Sequence, residues 1–251
     1  MPAEPCLYIL STPIGNLGDI SRRALETLAR VRILAAEDTR SARRLLAAYN
    51  LSAEGKLLIS YGEHNEAARA AGLAEMFTRG EEIVLLSESG TPLVSDPGYR
   101  LVQAALAAGV KIVPIPGPSA LLAALAGSGL PVHSFSFHGF PSKKPGARLR
   151  LLESLKDREE TLIFYESPQR LPKILPELAN IFGAARPACL ARELTKVHET
   201  FWRLPLGQLS ERVAREPLRG QCTLLVAGAQ NRRDQSESPD QPDPPDPDAC
   251  S

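Results

Sequence analysis

Residues 82–98 read EIVLLSESGTPLVSDPG, and this stretch predicts the fold of the first half of the chain. Its apolar run, residues 83–86, has the length and composition of a buried strand. Residues 88–98 follow, rich in glycine, proline, serine and acids, and they are longer than a simple connection needs. A strand that ends in such a loop and then enters a helix is typical of a parallel α/β sheet, which binds ligands at the carboxyl ends of its strands.

The same order of strand, loop and helix recurs through residues 1–130. Further strands are predicted at residues 6–10, 33–36, 56–61 and 110–114, each followed by apolar residues at helical spacing. We expect Asp19 and Asp38 to cap the first two helices, and residues 95–98 to begin a later one. The sequence thus predicts an N-terminal α/β domain, residues 1–130, with a mostly parallel sheet.

The second half of the chain has a less regular pattern. Strands are predicted at residues 133–139, 161–165, 188–192, 198–204 and 222–227, with helices after residue 150, from Ser167 and from Leu206. Residues 131–229 are therefore predicted to form a C-terminal mixed α+β domain. Residues 230–251 are acidic and proline-rich, and we expect them to form a disordered tail because they cannot bury enough apolar surface to fold.

Composition excludes several classes of protein. The chain has 251 residues, 43% of them hydrophobic, with a formal net charge of zero. Without residues 231–251 it has 27 basic and 23 acidic residues, a mild excess that permits an anionic partner. No apolar run is long enough for a membrane span, and the N-terminus does not resemble a signal peptide. Transmembrane, collagen-like and disulfide-framework proteins are excluded.

The cysteines also carry information about compartment and metal binding. None of the four has Cys-x-x-Cys spacing or a histidine at zinc spacing: Cys6, Cys189, Cys222 and Cys250. We expect a reduced, cytoplasmic protein without a structural metal.

Three loops are predicted at the carboxyl ends of the first sheet: residues 11–19, 88–98 and 116–120. They offer backbone donors and acceptors with few charged side chains, which suits an uncharged or cationic nucleoside better than a triphosphate. Neither the Rossmann fingerprint nor a phosphate-binding P-loop occurs in the chain. Three ordinary structural turns are the alternative interpretation.

Polar side chains also cluster at predicted strand ends, in residues 37–40, 166–167 and 192–196. Each set alone is explained by a helix cap or a salt bridge, and capping is sufficient for Asp38 and Ser167. A short basic stretch contains Lys143, Lys144, Arg148 and Arg150. It is either a solvated helix face or a surface that contacts phosphate.

Several ordered motifs together resemble one family. They are TPIGNLGDI at residues 12–20, AAEDTR at 35–40, GTP at 90–92, SDPGY at 95–99, PGPSA at 116–120, FYES at 164–167 and ARELTK at 191–196. From about Leu7 to Ala227 the chain resembles the ribosomal RNA small-subunit cytidine 2'-O-methyltransferases. This resemblance implies the two-domain tetrapyrrole methylase fold, S-adenosylmethionine held between the domains, and a homodimer. It also implies methylation of a cytidine ribose 2'-hydroxyl in the decoding centre of 16S ribosomal RNA, with the small ribosomal subunit as partner.

The resemblance and the strand-end positions together predict the site residues. Those expected around S-adenosylmethionine are Pro13, Gly15, Glu88, Gly90, Thr91, Pro92, Pro116, Ser119 and Ala120. One carboxylate among Glu37, Asp38, Glu166 and Glu193 is expected to orient or accept the proton of the hydroxyl. Lys196 or Arg40 is expected to hold phosphate or stabilise the developing oxyanion. The residues expected to contact RNA are Arg40, Lys143, Lys144 and Arg148.

The chain departs from the family pattern at three positions. Glu88 stands where the family usually has aspartate, Gln221 follows Gly220 where glutamate is common, and Ser11 precedes Thr12 where proline is frequent. Two other functions stay open. One is C-methylation of a corrin-like tetrapyrrole, which the basic stretch and residues 191–196 argue against. The other is a ribosome-binding protein that has lost catalysis.

Overall fold

The first sheet is parallel throughout. The protein is described here by a computed structural model covering residues 4–229. Its first five strands are β1 (Cys6–Leu10), β2 (Ile33–Ala36), β3 (Leu57–Ser60), β4 (Glu82–Leu86) and β5 (Lys111–Ile115). They pair in the order β3-β2-β4-β1-β5, with every pair parallel. The helices between and after them are α1 (Arg22–Arg30), α2 (Thr39–Ala48), α3 (Glu66–Thr78), α4 (Tyr99–Ala107) and α5 (Ala120–Ser128).

The first sheet has helices on both faces. Leu73 and Phe77 of α3 pack with Leu101 of α4 on one face, whereas Leu28 of α1 and Leu46 of α2 pack on the other. All four residues of β2 are buried. A parallel strand covered on both faces is apolar along its whole length, which explains why β2 and β4 are near-continuous apolar runs.

The second sheet is mixed. It contains β6 (Phe135–Phe137), β7 (Thr161–Glu166), β8 (Pro187–Arg192), β9 (Thr200–Pro205) and β10 (Cys222–Val226), in the order β6-β7-β10-β8-β9. Only the β6–β7 pair is parallel, and the other pairs of this sheet are antiparallel. Three helices complete this half: α6 (Pro145–Leu155), α7 (Leu171–Phe182) and α8 (Leu206–Arg215).

Helix α5 joins the two halves. Leu152 of α6, Leu175 of α7 and Leu209 of α8 belong to the core on one face of the second sheet. On the other face Leu121 and Leu125 of α5 pack in one cluster with Ile163, Cys189 and Leu225 of the sheet. The carboxyl ends of the strands in the first sheet therefore face the second sheet. The prediction of an α/β protein with a mostly parallel first sheet and a mixed second one is confirmed.

Two predicted helix starts are wrong. The first is Asp19, which lies in a short 3-10 helix, Leu17–Asp19, while Ser21 caps α1 by accepting a hydrogen bond from the Ala24 amide at 3.2 Å. Residues 95–98 do lead into α4, which begins at Tyr99, but the N-cap is Gly98, which has no side chain to cap the helix. The φ of +143° at Gly98 and its close approach to Leu85 require glycine.

Helix α7 begins at Leu171 and not at Ser167, because residues 167–170 first form a turn in which the Ser167 carbonyl accepts from the Arg170 amide at 3.0 Å. The domain boundary near residue 130 stays a prediction. The predicted tail, residues 230–251, lies outside the described residues. Among residues 4–229, every helix is too short or too polar to span a lipid bilayer.

Candidate functional site

A cavity of about 440 Å³ lies between the two sheets. Its wall on the first sheet comes from the segments that follow β1, β2, β4 and β5. Its wall on the second sheet comes from the end of β7, the start of β10 and the segments that follow β6 and β8. Four carboxylates line it: Glu37, Glu88, Asp96 and Glu166. The ring faces of Phe140 and Tyr165 supply part of the apolar lining. The carboxyl ends of parallel strands are where α/β sheets bind ligands, and this cavity is in that position.

The three loops predicted to line a pocket are tied to one another. The backbones of Thr12 and Gly90 exchange two hydrogen bonds of 2.8 and 3.0 Å. The hydroxyls of Ser11 and Thr91 lie 2.9 Å apart, and Thr91 donates to the Pro118 carbonyl at 3.1 Å. Gly90 has a φ of +83°, so glycine allows the turn that this bonding requires. The loops therefore form one connected wall.

The residues predicted to surround the cofactor divide into two groups. Glu88, Gly90, Thr91, Ser119 and Ala120 line the cavity. The other four do not line it: Pro13, Gly15, Pro92 and Pro116.

Gly15 has a structural role in joining the two halves of the protein. A Cβ atom at Gly15 would lie 2.4 Å from Cγ of Lys196 and 3.0 Å from the Thr195 hydroxyl. The Thr195 hydroxyl accepts a hydrogen bond from the neighbouring Asn16 amide at 3.1 Å. Glycine at position 15 thus permits close contact between the first loop and residues 194–196 of the second half.

Burial and repulsion from neighbouring carboxylates raise the pKa values of two acids on the first-sheet wall, Glu37 and Asp96. Burial raises the pKa of Glu37, and the nearby negative charge of Glu88 raises it further. Burial, with repulsion from Glu37 and Glu88, raises the pKa of Asp96 to about 6, although a hydrogen bond from Ser87 opposes the rise. A group of carboxylates held in this way favours a cation in the cavity.

Asp96 was not among the predicted site residues. Sequence reasoning treated residues 95–98 as a helix start, which explained the aspartate without a ligand. The sequence feature that could have identified Asp96 as a site residue is its position in the long loop after β4. That loop folds back with Leu93 and Ser95 at positive φ, +73° and +65°, which places Asp96 in the cavity wall.

Glu166 is the most buried of the four carboxylates. The residue is 2% exposed, and its Oε1 accepts a hydrogen bond from the Ser167 amide at 2.8 Å. Its Oε2 has no hydrogen-bond partner among the described residues and lies 3.4 Å from Nη2 of Arg170. Burial raises its pKa, and the Ser167 amide together with Arg170 and Arg148 opposes that rise. A buried carboxylate oxygen that is paired with a guanidinium but accepts no hydrogen bond can still accept a proton from a bound group.

Asp38 caps α2, as the capping interpretation predicted. Its carboxylate accepts from the Arg40 amide at 2.7 Å and pairs with the Arg40 guanidinium at 3.1 Å, which lowers the pKa of Asp38. The Asp38 side chain does not line the cavity. The Arg40 side chain is exposed.

Glu193 and Lys196 bind each other beside the cavity. The Lys196 ammonium lies 2.9 Å from Oε1 of Glu193 and donates to the side-chain oxygen of Gln221 at 3.2 Å. Lys196 lowers the pKa of Glu193. The backbone amide of Gln221 also donates to Oε1 of Glu193, at 2.8 Å. Next to it, a Cβ atom at Gly220 would lie 2.1 Å from the same oxygen. Gln221, where the family commonly has glutamate, is therefore a neutral acceptor for Lys196.

The prediction that Arg148 contacts RNA is corrected by the structure. Arg148 is 2% exposed, and its Nε and Nη2 donate to the two carboxylate oxygens of Glu177 at 2.6 and 2.7 Å. A side chain enclosed and paired in this way presents no charge to a ligand. Lys143 and Lys144 are exposed and remain available. The part of the chain described, residues 4–229, contains no group of three or more His, Cys, Asp or Glu residues that could hold a metal.

Sequence comparison places the chain in a known family. Residues 6–210 match the family model for tetrapyrrole (corrin/porphyrin) methylases. A protein of Vibrio cholerae serotype O1 named ribosomal RNA small subunit methyltransferase I is 46% identical over 234 residues, which cover 92% of this chain and 80% of that protein. A protein of the same name from Escherichia coli O157:H7 is 42% identical over 224 residues, covering 88% and 77%.

Solved structures share the fold. The methyltransferase CobJ superposes with a TM-score of 0.67 at 22% identity, covering 92% of this chain and 96% of that one. Uroporphyrin-III C-methyl transferase from Thermus thermophilus, complexed with S-adenyl homocysteine, gives a TM-score of 0.62 at 19% identity, covering 88% and 96%. At these identities the likeness shows the fold alone. The family model and the sequence relatives establish that the chain belongs to the tetrapyrrole methylase family and, within it, to the ribosomal RNA small subunit methyltransferase I family.

Proposed function

We propose that this protein transfers the methyl group of S-adenosylmethionine to the ribose 2'-hydroxyl of a cytidine in the decoding centre of 16S ribosomal RNA. The observation that carries the proposal is the acid-lined cavity between the sheets, in a chain of this family, whose wall includes Glu166, a buried carboxylate with one oxygen that accepts no hydrogen bond from the described residues. The small ribosomal subunit, or its RNA, is the proposed partner, in agreement with the names of the relatives.

The cavity fits the methyl donor by size and by charge. Its volume of about 440 Å³ lies in the range of small-molecule sites. The carboxylates favour a cationic ligand, and the backbone around Gly90 and Ser119 offers polar groups to a nucleoside. We assign donor contacts to Glu88, Gly90, Thr91, Ser119 and Ala120, with Pro13, Gly15, Pro92 and Pro116 shaping the loops. When bound, the donor supplies a methyl group already activated by its sulfonium charge, so the protein's main task there is positioning.

Glu166 is the proposed proton acceptor for the 2'-hydroxyl. Glu37 lies in the same cavity and is the second candidate. Asp38 is engaged as a helix cap, and Glu193 is paired with Lys196. We propose that Lys196, fixed beside Gln221, stabilises negative charge that develops on the acceptor. Arg40, Lys143 and Lys144 are the proposed phosphate contacts.

The experiment that tests this function uses radiolabelled S-adenosylmethionine and small ribosomal subunits from a strain lacking the modification. Label at a ribose 2'-oxygen of a decoding-centre cytidine is the expected result. Glu166→Gln should lower kcat by about 100-fold or more, the usual contribution of a general base, with donor affinity by calorimetry unchanged. Glu153→Gln, an exposed change on α6, is the matched control. Donor binding without transfer to RNA, or transfer to a tetrapyrrole alone, contradicts the proposal.

Arg170→Gln gives a second test of Glu166. The Arg170 guanidinium lies 3.4 Å from Oε2 of Glu166 and opposes the rise in its pKa. Losing that positive charge raises the pKa of Glu166 further, so the deprotonated fraction falls at a given pH. We expect the acidic limb of the kcat/KM profile to move to higher pH in this variant. An unmoved limb removes Glu166 as the acceptor.

We also propose that the protein acts in the cytoplasm as a homodimer. The thiols of Cys6, Cys189 and Cys222 are buried and unpaired, as in a reducing compartment. Leu122 and Val132 are 54% and 55% exposed, which offers apolar surface for association. Size-exclusion chromatography with light scattering should give twice the chain mass of 27.1 kDa. A monomer at micromolar concentration contradicts the dimer.

A further inference from the structure

An exposed aromatic ring stands at the mouth of the cavity. Phe140 lines the cavity, yet 56% of its surface is exposed to solvent. By contrast, Phe164, which lies in the core of the same half, is 1% exposed. The Phe140 ring therefore adds little to the core, although it lies between the cavity and solvent.

The chain turns sharply to bring this ring to the mouth. Pairing with β7 continues past β6, since the His138 amide donates to Ile163 and the Tyr165 amide donates to Gly139, both at 2.9 Å. Gly139 then has a φ of +58°, and a Cβ there would lie 3.1 Å from the Ser95 hydroxyl. Phe140 consequently sits opposite the acidic loop of the first sheet.

The ring is held from behind by a second aromatic residue. The centroids of Phe140 and Tyr165 are 5.6 Å apart, with ring planes inclined at 57°. The Tyr165 hydroxyl accepts a hydrogen bond from the Leu121 amide at 3.2 Å, at the start of α5. This contact fixes the support of the ring before any ligand arrives.

Two arginines anchor the backbone that follows the ring. Nη2 of Arg170 donates to the Pro141 carbonyl at 2.7 Å and to the Ser142 carbonyl at 3.3 Å. Nη1 of Arg148 donates to the Ser142 carbonyl at 3.0 Å and to the Lys143 carbonyl at 3.3 Å. The peptide is therefore held to α6 and α7, while the side chains of Lys143 and the adjoining Lys144 extend into solvent.

An anchored segment with one exposed ring and two exposed cations matches the chemistry of an unpaired nucleotide. A base can stack on an aromatic face, and neighbouring phosphates can bind Lys side chains. A nucleobase inside a helix cannot present its ribose to an enclosed cavity, so enzymes that modify nucleotides in such sites use unstacked ones.

We propose that Phe140 is the stacking platform for the base of the target nucleotide, and that Lys143 and Lys144 hold the RNA backbone next to it. This inference rests on the proposed function and adds how the nucleotide is placed. Phe140 contacts the base and not the reacting atoms, so it acts as a positioning residue. The ribose attached to the stacked base would then enter the cavity that contains Glu166.

The test compares Phe140→Leu, which removes the π face, with Phe140→Trp, which keeps one. The leucine variant should lower kcat/KM on small subunits by about 5- to 150-fold, the range for loss of one base–aromatic stack. The tryptophan variant should keep most of the wild-type kcat/KM. The affinity of both variants for S-adenosylhomocysteine, measured by calorimetry, should equal that of the wild type. Phe135→Leu, at a ring that is 42% exposed but outside the cavity lining, is the matched control. Equal rates for wild type and Phe140→Leu, or equal losses in leucine and tryptophan, overturn the platform.

A fluorescence measurement separates failure of the platform from failure of the proposed reaction. The probe is a short single-stranded RNA with pyrrolocytosine at its centre, whose emission falls when it stacks. Wild type and Phe140→Trp should quench it and Phe140→Leu should not, whether or not methyl transfer occurs. Absence of quenching by wild type overturns the platform. Quenching without transfer retains the platform and rejects the reaction.

Salt dependence tests the two lysines independently. Replacing both Lys143 and Lys144 by glutamine should make the slope of log affinity against log salt less negative by about 1.4 for single-stranded RNA. Lys111→Gln, at the opposite end of the first sheet, should not change the slope. An unchanged slope in the double variant removes the lysines from the proposal.

Discussion

Replacing Arg148 by alanine should destabilise the second half of the protein by about 3 kcal/mol. The Arg148 side chain is 3% exposed, and its partner Glu177 is 20% exposed. Their two hydrogen bonds are 2.6 and 2.7 Å long, a bidentate, charge-assisted geometry. Removing one member of a buried pair costs about 3–5 kcal/mol because a desolvated charge is left. The remaining exposure of Glu177 places the Arg148→Ala loss at the lower end of that range.

Glu177→Ala should cost at least as much. It leaves the less exposed member of the pair, the Arg148 guanidinium, with the carbonyls of Ser142 and Lys143 as its remaining acceptors among residues 4–229. The double variant should lose less than the sum of the single losses, because each single change removes the same pair. Each single loss depends on how deeply the remaining charge is buried, and the double variant leaves neither charge behind.

Urea unfolding followed by tryptophan fluorescence measures these losses directly. Trp202 is the one tryptophan of the sequence, and it packs against the same core as Leu152 of α6. A loss of about 3 kcal/mol corresponds to a fall of about 6–12 °C in Tm for a chain of this size. The reasoning is refuted if Arg148→Ala unfolds like wild type and makes the salt slope of RNA binding less negative. That outcome would restore Arg148 to the role that the sequence predicted.

Two further predictions concern the cavity and its rim. Because the pKa of Asp96 is raised to about 6, the folded protein keeps a proton on this carboxyl group between about pH 4 and pH 6, where the unfolded chain has released it. The contribution of Asp96 to the free energy of unfolding therefore falls as pH rises through that range. Asp96→Asn should therefore gain stability relative to wild type as pH rises, levelling off above about pH 6; a pH-independent difference in urea midpoints contradicts this. Gly220→Ala should cost about 1–3 kcal/mol, because φ is +92° and the new Cβ would lie 2.1 Å from Oε1 of Glu193. Gly183→Ala, at φ +97° with no atom within 4 Å, should cost less, and equal losses would mean that backbone strain alone acts at Gly220.

The strands were largely readable from local patterns. The predicted limits of β1 and β2 coincide with the observed strands Cys6–Leu10 and Ile33–Ala36, and α8 coincides with Leu206–Arg215. In these segments the periodicity of apolar residues depends on which face is buried, and burial follows from the fold class. The α/β class was therefore available from the order and periodicity of the elements, whereas the tetrapyrrole methylase fold was available only through the motifs that carried the family resemblance.

Helix starts were less predictable because a polar residue near a helix has several possible partners. Ser167 looked like a cap, but its carbonyl closes a turn and α7 starts only at Leu171. Asp96 looked like part of another helix start, but the positive φ of Ser95 turns it into the cavity. In each case the backbone path of the loop, and not the residue type, decided the role.

Local sequence patterns were enough to predict the α/β class, most of the strands, and the loops that meet at one end of the first sheet. Which polar residues share an environment depends on how distant segments pack together. Arg148 is paired with Glu177 across two helices, whereas Lys143, a few residues earlier, is exposed. Glycine is needed at position 15 because the side chain of Lys196, far along the chain, packs against the backbone there. Local patterns report which face of an element is buried, but the partner of a buried charge or of a close backbone contact is fixed by packing between segments distant in sequence.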